Sequence, residues 1–277
     1  MSNLRIIYDN AIDRGTIVAS STAGSLIASN IKNDKKSKIW RSVGTSATLT
    51  ITWPTAEIVS GVMAPFCNLT ATSTLRVRGY TEESDSIPFF DTGIINPVQV
   101  QPFGLWDWGA IPLGVNGYSY GGGTYAVKWF SSYYSIKKLV LDIVDSSNPA
   151  GYIECSKLVT GSAWSPIYNT GFGMSSTPTD TSVKNRSEAG DLVLTRNPRY
   201  KSMSFDLSWM QAQDRQRFNE IIAGNGLTKS LFVSLFPEDS DVEKEQTYQV
   251  YGKLSQIGGI THPMHTIYSS RIDIEEI

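Results

Sequence analysis

Ser135-Ile136-Lys137-Lys138-Leu139-Val140-Leu141-Asp142-Ile143-Val144, then Asp145-Ser146-Ser147-Asn148-Pro149-Ala150-Gly151, then Tyr152-Ile153-Glu154-Cys155-Ser156-Lys157-Leu158-Val159: this stretch decides how the fold is read. Leu139, Leu141 and Ile143 fall on one face of an extended backbone, and Lys138, Val140 and Asp142 on the other. A period of two carried by β-branched residues marks a strand with one buried face. The middle run is dense in Asp, Ser, Asn, Pro and Gly, which supply the φ values and local hydrogen bonds of a turn. The pattern predicts a strand, a reversal and a second strand closing a β-sandwich. Beyond it, Gly161-Ser162-Ala163-Trp164-Ser165-Pro166 leads into a segment of different character.

Working outward towards the N-terminus, the same rhythm repeats. Leu4 to Tyr8 and Gly15 to Ala19 read as short extended pieces, and a polar, basic loop at Asn33-Asp34-Lys35-Lys36-Ser37-Lys38 ends at Ile39-Trp40-Arg41-Ser42. Leu49, Ile51 and Trp53 share one side of a strand, Val59, Val62, Met63 and Phe66 form another apolar run, and Leu75-Arg76-Val77-Arg78-Gly79-Tyr80 another strand. Turn signals at intervals of about ten residues are the spacing of an all-β sandwich. Trp40, where a polar loop meets a strand, is expected to be buried.

The whole chain has 277 residues, enough for one large or two ordinary domains with real cores. Its net charge of −2 and its lack of a Lys/Arg stripe argue against sequence-specific nucleic-acid binding, which needs a basic footprint. No apolar run approaches the roughly 20 residues of a membrane helix, so membrane insertion is not expected. Met1-Ser2-Asn3-Leu4-Arg5 has no signal-peptide pattern. Cys67 and Cys155, the two cysteines, lie far apart in strand-like surroundings, which predicts buried free thiols and folding in a reducing cytoplasm.

The Asp34-to-Ser42 loop, the Leu49-Thr50-Ile51 strand, the Leu69-Thr70 to Arg78-Gly79 pair and the Ala150-Gly151-Tyr152-Ile153 hairpin together resemble the galactose-binding-like, or discoidin-like, β-sandwich family. The resemblance covers about the first 160 residues. It implies a sandwich that in some members binds sugars or calcium through end loops and in others is architectural. Within it, residues 96–130 form an insertion containing Phe103-Gly104-Leu105-Trp106-Asp107-Trp108-Gly109 and Gly117-Tyr118-Ser119-Tyr120-Gly121-Gly122-Gly123. Aromatics among glycines can present flat apolar faces on a freely bending backbone. Trp106, Trp108, Tyr118 and Tyr120 are the candidate ligand-binding residues, with two roles open: stacking on a sugar, or packing and docking.

From Asn169 to Ser187 the composition shifts to Gly, Ser, Thr and Pro, which predicts a linker or extended arm. The expected division is thus 1–165 sandwich, 166–186 linker and 187–277 second domain. In the second domain Asp191 to Leu194 and Arg199 to Trp209 read as strands, with Met203, Phe205, Leu207 and Trp209 on the buried face. The period then changes. Phe218, Ile221 and Ile222 recur at helical spacing between Ala212 and Ile222, and Gly224-Asn225-Gly226 provides a stop. Strands follow at Leu231 to Leu235, Tyr248 to Leu254, and Thr266 through Ile274, separated by an acidic, solvated loop from Pro237 to Glu243. The fold class expected is mainly β, with a barrel-like α+β second domain carrying one helix.

Met203 to Trp209, the helix from Ala212 to Ile222, Ser230-Leu231-Phe232-Val233 and Tyr251-Gly252-Lys253-Leu254 resemble the tail-ring domains of long-tailed bacteriophages. With the sandwich, they resemble distal tail and baseplate proteins. The resemblance implies a virion component assembled in the host cytoplasm: a homo-oligomer in a hexameric ring, contacting tail tube and baseplate hub proteins, with a host-surface glycan as a candidate ligand. Such proteins usually place the ring domain first and the sandwich second, and here the order reads reversed. That leaves open the ring protein itself or a neighbouring baseplate subunit.

Little raw material for catalysis exists. His262 and His265, the two histidines, flank Pro263, which disfavours a helix that would bring them together as metal ligands, so two exposed imidazoles at a turn are expected. There is no Gly-x-Ser-x-Gly elbow, and Gly121-Gly122-Gly123 lacks the ending of a phosphate loop. Glu82, Glu83, Asp85 and Asp91 cluster near one strand end, as charged loop ends do; a calcium site or a glycosidase pair would need them to converge. No catalytic residue, metal site or cofactor is expected.

Overall fold

The structure is a computed structural model that describes residues 3–98 and 124–277. The chain is mainly β, in two units. The first is a β-sandwich built from β2 (Thr16–Ala19), β3 (Trp40–Arg41), β4 (Ser46–Cys67), β5 (Thr74–Tyr80), β6 (Phe90–Ile95), β7 (Thr124–Val144), β8 (Glu154–Cys155) and β9 (Val159–Thr160). The second contains β1 (Arg5–Ile7), β10 (Ala163–Trp164), β11 (Ser175–Asp180), β12 (Val183–Arg186), β13 (Leu192–Thr195), β14 (Arg199–Met210), α1 (Ala212–Asn225), β15 (Leu231–Ser234), α2 (Val242–Thr247), β16 (Gln249–Leu254), β17 (Thr261–Met264) and β18 (Ile267–Glu276).

Two long antiparallel strands, β4 and β7, form the spine of the sandwich, in the order β3-β8-β4-β7-β5-β6 with β2 and β9 also on β4. Register shifts between Thr52 and Glu57, Val59 and Gly61, and Ala64 and Cys67 interrupt their ladder. Bulges of this kind bend and twist a strand, and Leu49 and Ile51 from one half meet Val62 and Cys67 from the other in a single core. The first half of β4 alternates buried and half-buried residues, as predicted, but every residue from Val59 to Met63 is buried. There both faces are covered: Val59 and Val62 enter the sandwich core, while Met63 and Phe66 enter a seam with the second unit. Trp40 is fully buried, as expected.

The closing hairpin expected from the sequence is corrected. β7 pairs with β4 and β5, whereas β8 pairs with β3 and β4. The intervening turn is pinned elsewhere: the Asp145 carboxylate accepts from Thr70 N at 2.8 Å, Thr70 Oγ1 at 2.6 Å and Asn148 Nδ2 at 3.1 Å. Tied to the loop that follows β4, the chain crosses to the far side of β4 and does not double back along β7.

The expected domain limits also differ from the pairing. β1, the first strand of the chain, lies between β10 and β15 in an eight-stranded antiparallel, barrel-like sheet ordered β10-β1-β15-β16-β18-β14-β11, with β17 on β18. The sandwich is therefore inserted into the second unit between β1 and β10, and every element of that unit except β1 follows it in the chain. The stretch read as a linker supplies the edge strand β11 and the strand β12. Pro178 is compatible with β11 because an edge strand has one side free of ladder bonds.

Met203, Phe205 and Leu207 face the second core as predicted, together with Phe218 and Ile221 of α1. Trp209 does not. A register shift between Leu207 and Met210 turns the alternation over, so Met210 is buried and Trp209 is 51% exposed. The acidic loop holds the short helix α2, capped by Asp241, whose side chain accepts from Lys244 N at 3.2 Å. Glu245 and Gln246 of that helix are buried. No helix among the described residues is long and apolar enough to cross a membrane.

Candidate functional site

Trp106, Trp108, Tyr118 and Tyr120 lie outside the described residues. The strand that precedes them, β6, carries an aromatic cluster. Phe90 stacks on Tyr134 at 4.2 Å between centroids and packs against Phe130 at 4.9 Å, and Phe89 meets Tyr134 edge-on at 6.1 Å. Gly79 makes room for it, since a Cβ there would stand 2.1 Å from Phe90 Cε1. Phe89 is 62% exposed, and Ile87 and Ile94 are also exposed apolar residues. β6 is the edge strand of the sandwich sheet, so this aromatic group lies at the sheet edge.

The carboxylates of this region are held by separate partners. Glu82 pairs with Lys137, the Asp85 side chain accepts from Glu82 N at 2.9 Å, and Asp91 pairs with Arg76 at 2.5 Å. The Arg76 hydrogen bond, foremost, holds Asp91 below the usual carboxylate range. Among the described residues no group of three or more His, Cys, Asp or Glu side chains converges on a point. His262 and His265 are exposed, and His262 sits in β17, where its ring stacks on Tyr268 at 4.6 Å while Arg215 covers the same tyrosine at 4.4 Å.

A second surface was not anticipated from the sequence. β12 and β13 form a two-stranded sheet of their own, Val183 opposite Thr195 and Arg186 opposite Leu192. Gly190, at φ +91°, supplies the left-handed residue of the turn. Every residue of both strands is exposed, including Val183, Leu192, Val193 and Leu194. The base is tightly held. Asn197 Nδ2 donates to Thr181 O at 2.9 Å, and Asp180 accepts from Ser182 N at 2.9 Å and Arg199 Nε at 3.0 Å. The bonds from Ser182, followed by that from Arg199, bring Asp180 down to about 2. The signal available in the sequence was the apolar triplet Leu192-Val193-Leu194 just after Gly190, which pairs with Arg186, Asn185 and Lys184.

Between the units runs a seam of aromatic and ionic groups. Phe66 meets Tyr125 at 5.4 Å and Tyr251 at 6.3 Å, and Trp129 meets Phe232 at 6.2 Å. Lys157, fully buried, places Nζ 2.8 Å from Asp34 Oδ1, 3.2 Å from Asp13 Oδ1 and 2.9 Å from Lys32 O. From the second unit, Tyr251 donates to Asp34 Oδ1 at 2.8 Å and Ser230 to Oδ2 at 2.9 Å. Burial acts to raise Asp34, but the bonds and charge of Lys157 and the bonds from Tyr251 and Ser230 outweigh it and hold the carboxyl below its ordinary value. At Asp13 burial wins and the carboxyl is raised. Tyr125 donates to Glu276 Oε1 at 2.7 Å, and Lys36 pairs with the same carboxylate at 3.3 Å. Burial lowers Lys201, behind this group, to about 8. These bonds fix the sandwich on the second unit.

No protein-family model matches the sequence. The comparison with curated proteins returned no match. Among solved structures, a chitosan-binding module of a chitosanase/glucanase from Paenibacillus sp. IK-5 is similar over 56% of this chain and 99% of its own, at 13% identity and a TM-score of 0.38. A CBM32 module of Clostridium perfringens, in complex with GalNAc-β-1,3-galactose, is similar over 56% of this chain and all of its own, at 10% identity and a TM-score of 0.39. A GH29 fucosidase of Ruminococcus gnavus, in complex with fucose, is similar over 56% of this chain at 9% identity and a TM-score of 0.38, and this chain spans 27% of that enzyme's length. Two of the three are carbohydrate-binding modules. The sandwich itself is described by the strand pairing above and not by these likenesses.

Proposed function

We propose that this chain is a non-catalytic structural subunit that associates with further copies of itself through its second unit and carries the sandwich as a surface-ligand module. In its finer form this is a distal-tail or baseplate component of a long-tailed bacteriophage, joining the tail tube to the host-recognition apparatus. The observation that carries it is the β12–β13 hairpin, a ribbon of its own whose apolar residues are all exposed. An isolated two-stranded ribbon is marginal in water, and a neighbouring copy that covers it stabilises both. Repeated around an axis, such a head-to-tail contact closes a ring with a central channel; six copies are expected from the family resemblance.

Sedimentation of the full chain over a range of concentrations tests it. The wild type is expected to associate, and the Leu192→Asp, Leu194→Asp double variant to remain monomeric with its circular dichroism intact. A wild type that stays monomeric at high concentration overturns the proposal.

The exposed Phe89 face on Tyr134, one strand before the aromatic insertion, favours a second reading as a carbohydrate-binding host-recognition module. A flat ring beside a few polar groups suits the apolar face of a sugar. A glycan array is expected to show binding that Phe89→Ala, Trp106→Ala or Trp108→Ala abolishes at unchanged melting temperature. No hits for the wild type would retire it.

A further inference from the structure

Cys67 ends β4 and Cys155 ends β8, and the two are register partners across that antiparallel pair. The neighbouring backbone bonds identify the kind of pair. Asn68 N donates to Glu154 O at 3.1 Å, and Ser156 N donates to Phe66 O at 3.3 Å. Bonds that flank the partners on both sides define a non-hydrogen-bonded position, where opposed Cα atoms stand about 4.5 Å apart and side chains are closer than elsewhere in a ladder. A disulfide spans Cα separations of about 4.4–6.8 Å. Directly opposed side chains share one face of the sheet, and both cysteines indeed enter the same apolar core.

Each thiol now makes a weak bond to a carbonyl, Cys67 Sγ to Thr124 O at 3.2 Å and Cys155 Sγ to Lys157 O at 3.0 Å. Rotation about the two χ1 angles exchanges these for a sulfur–sulfur bond. We propose that Cys67 and Cys155 are a cross-strand oxidation site, which a small disulfide oxidant of the glutathione type converts into an intramolecular disulfide. The thiolate of one cysteine attacks a sulfur of the oxidant, forming a mixed disulfide and expelling one small thiolate. The second cysteine, as thiolate, attacks the protein sulfur of that mixed disulfide and expels the other. Two electrons pass from the cysteines to the oxidant, and the two protons end on the released thiols.

Burial governs when this happens. It pushes the Cys67 thiol up to about 11 and the Cys155 thiol well above its ordinary value, so the closed, reduced chain holds little thiolate. β8 is two residues long, and reaction is confined to the folding chain or to moments when β8 lifts from β4. The bond would close a loop containing β5, β6 and β7, and so constrain the unfolded chain.

The full chain, refolded from denaturant in a mixture of oxidised and reduced glutathione, tests this. A monomer lighter by two hydrogens is expected, with a linked peptide joining residues 67 and 155, no thiol titratable by maleimide in denaturant, and a higher melting temperature than the chain refolded with reductant. The already folded, reduced chain in the same mixture is expected to react at least about tenfold more slowly. Two free thiols after refolding, glutathione adducts alone, or intermolecular dimers alone would overturn the proposal. Cys67→Ser and Cys155→Ser are each expected to abolish the link; should either fail to fold, the wild-type peptide map still decides.

Discussion

Replacing Tyr251 by Phe removes one oxygen from the seam and leaves the ring that packs on Phe66. That oxygen donates to Asp34 Oδ1 at 2.8 Å. A hydrogen bond to a charged group contributes roughly 1.5–3 kcal/mol. The lower end applies, because Asp34 keeps Lys157 at 2.8 Å and Ser230 at 2.9 Å, and its side chain is 34% exposed, so solvent already screens the carboxylate. A loss of about 1.5 kcal/mol at neutral pH is expected. Its pH dependence has a definite sign. The folded carboxyl of Asp34 titrates below its ordinary 3.8, so its stabilisation is complete above 3.8 and fades as the pH falls through the folded value. Tyr251 contributes to that lowering, and the difference between wild type and variant therefore shrinks in acid. Asp13 moves in the opposite direction, but burial raises it in both proteins and its effect cancels in the comparison. Urea unfolding followed by circular dichroism at pH 7 and at about pH 3 measures both quantities. A difference under about 0.5 kcal/mol at pH 7, or one of equal size at both pH values, would refute the assignment of this bond as part of the seam.

Two further outcomes are expected. Trp40→Ala empties a fully buried site whose indole donates to Ser21 O at 3.2 Å, and should cost roughly 3–5 kcal/mol in denaturant unfolding; a near-neutral result would contradict that burial. Gly79→Ala places a methyl group against Phe90 and should cost roughly 1–3 kcal/mol while displacing the Phe90–Tyr134 stack, which near-ultraviolet circular dichroism reads; an unchanged aromatic signal would show that the cluster yields freely.

The local periods were sufficient for much of this molecule. Leu49, Ile51 and Trp53 on β4, Leu139, Leu141 and Ile143 on β7, and Phe218 and Ile221 on α1 are buried where alternation or helical spacing put them, because those patterns depend only on neighbours in the chain. The burial of Trp40 followed from its place between a polar loop and a strand. The mainly β class and the long helix α1 follow from the same local patterns.

Pairing partners were decided elsewhere. The three residues Arg5–Ile7 are apolar enough for a strand, but nothing in them states that the open position lies between β10 and β15, more than 150 residues away. The turn after β7 has the composition of a hairpin, yet Asp145 binds Thr70, and that distant bond sends β8 to β4. Trp209 obeys the alternation of its strand until a bulge against β18 turns it outward. The continuous burial of Val59 to Met63 has the same origin, since a second unit covers the face that a sandwich alone would leave to water. The candidate surfaces divide likewise: of the exposed hairpin, β13 is legible as a strand in its own residues while β12 lies in a stretch whose Gly and Ser composition reads as a linker, whereas the Cys67–Cys155 pair exists only because a ladder places residues far apart in sequence directly opposite each other. Sequence periodicity determines which face of an element seeks cover, and the tertiary structure decides what covers it, because backbone hydrogen bonds and apolar contacts are satisfied by whichever partner the whole chain brings within reach.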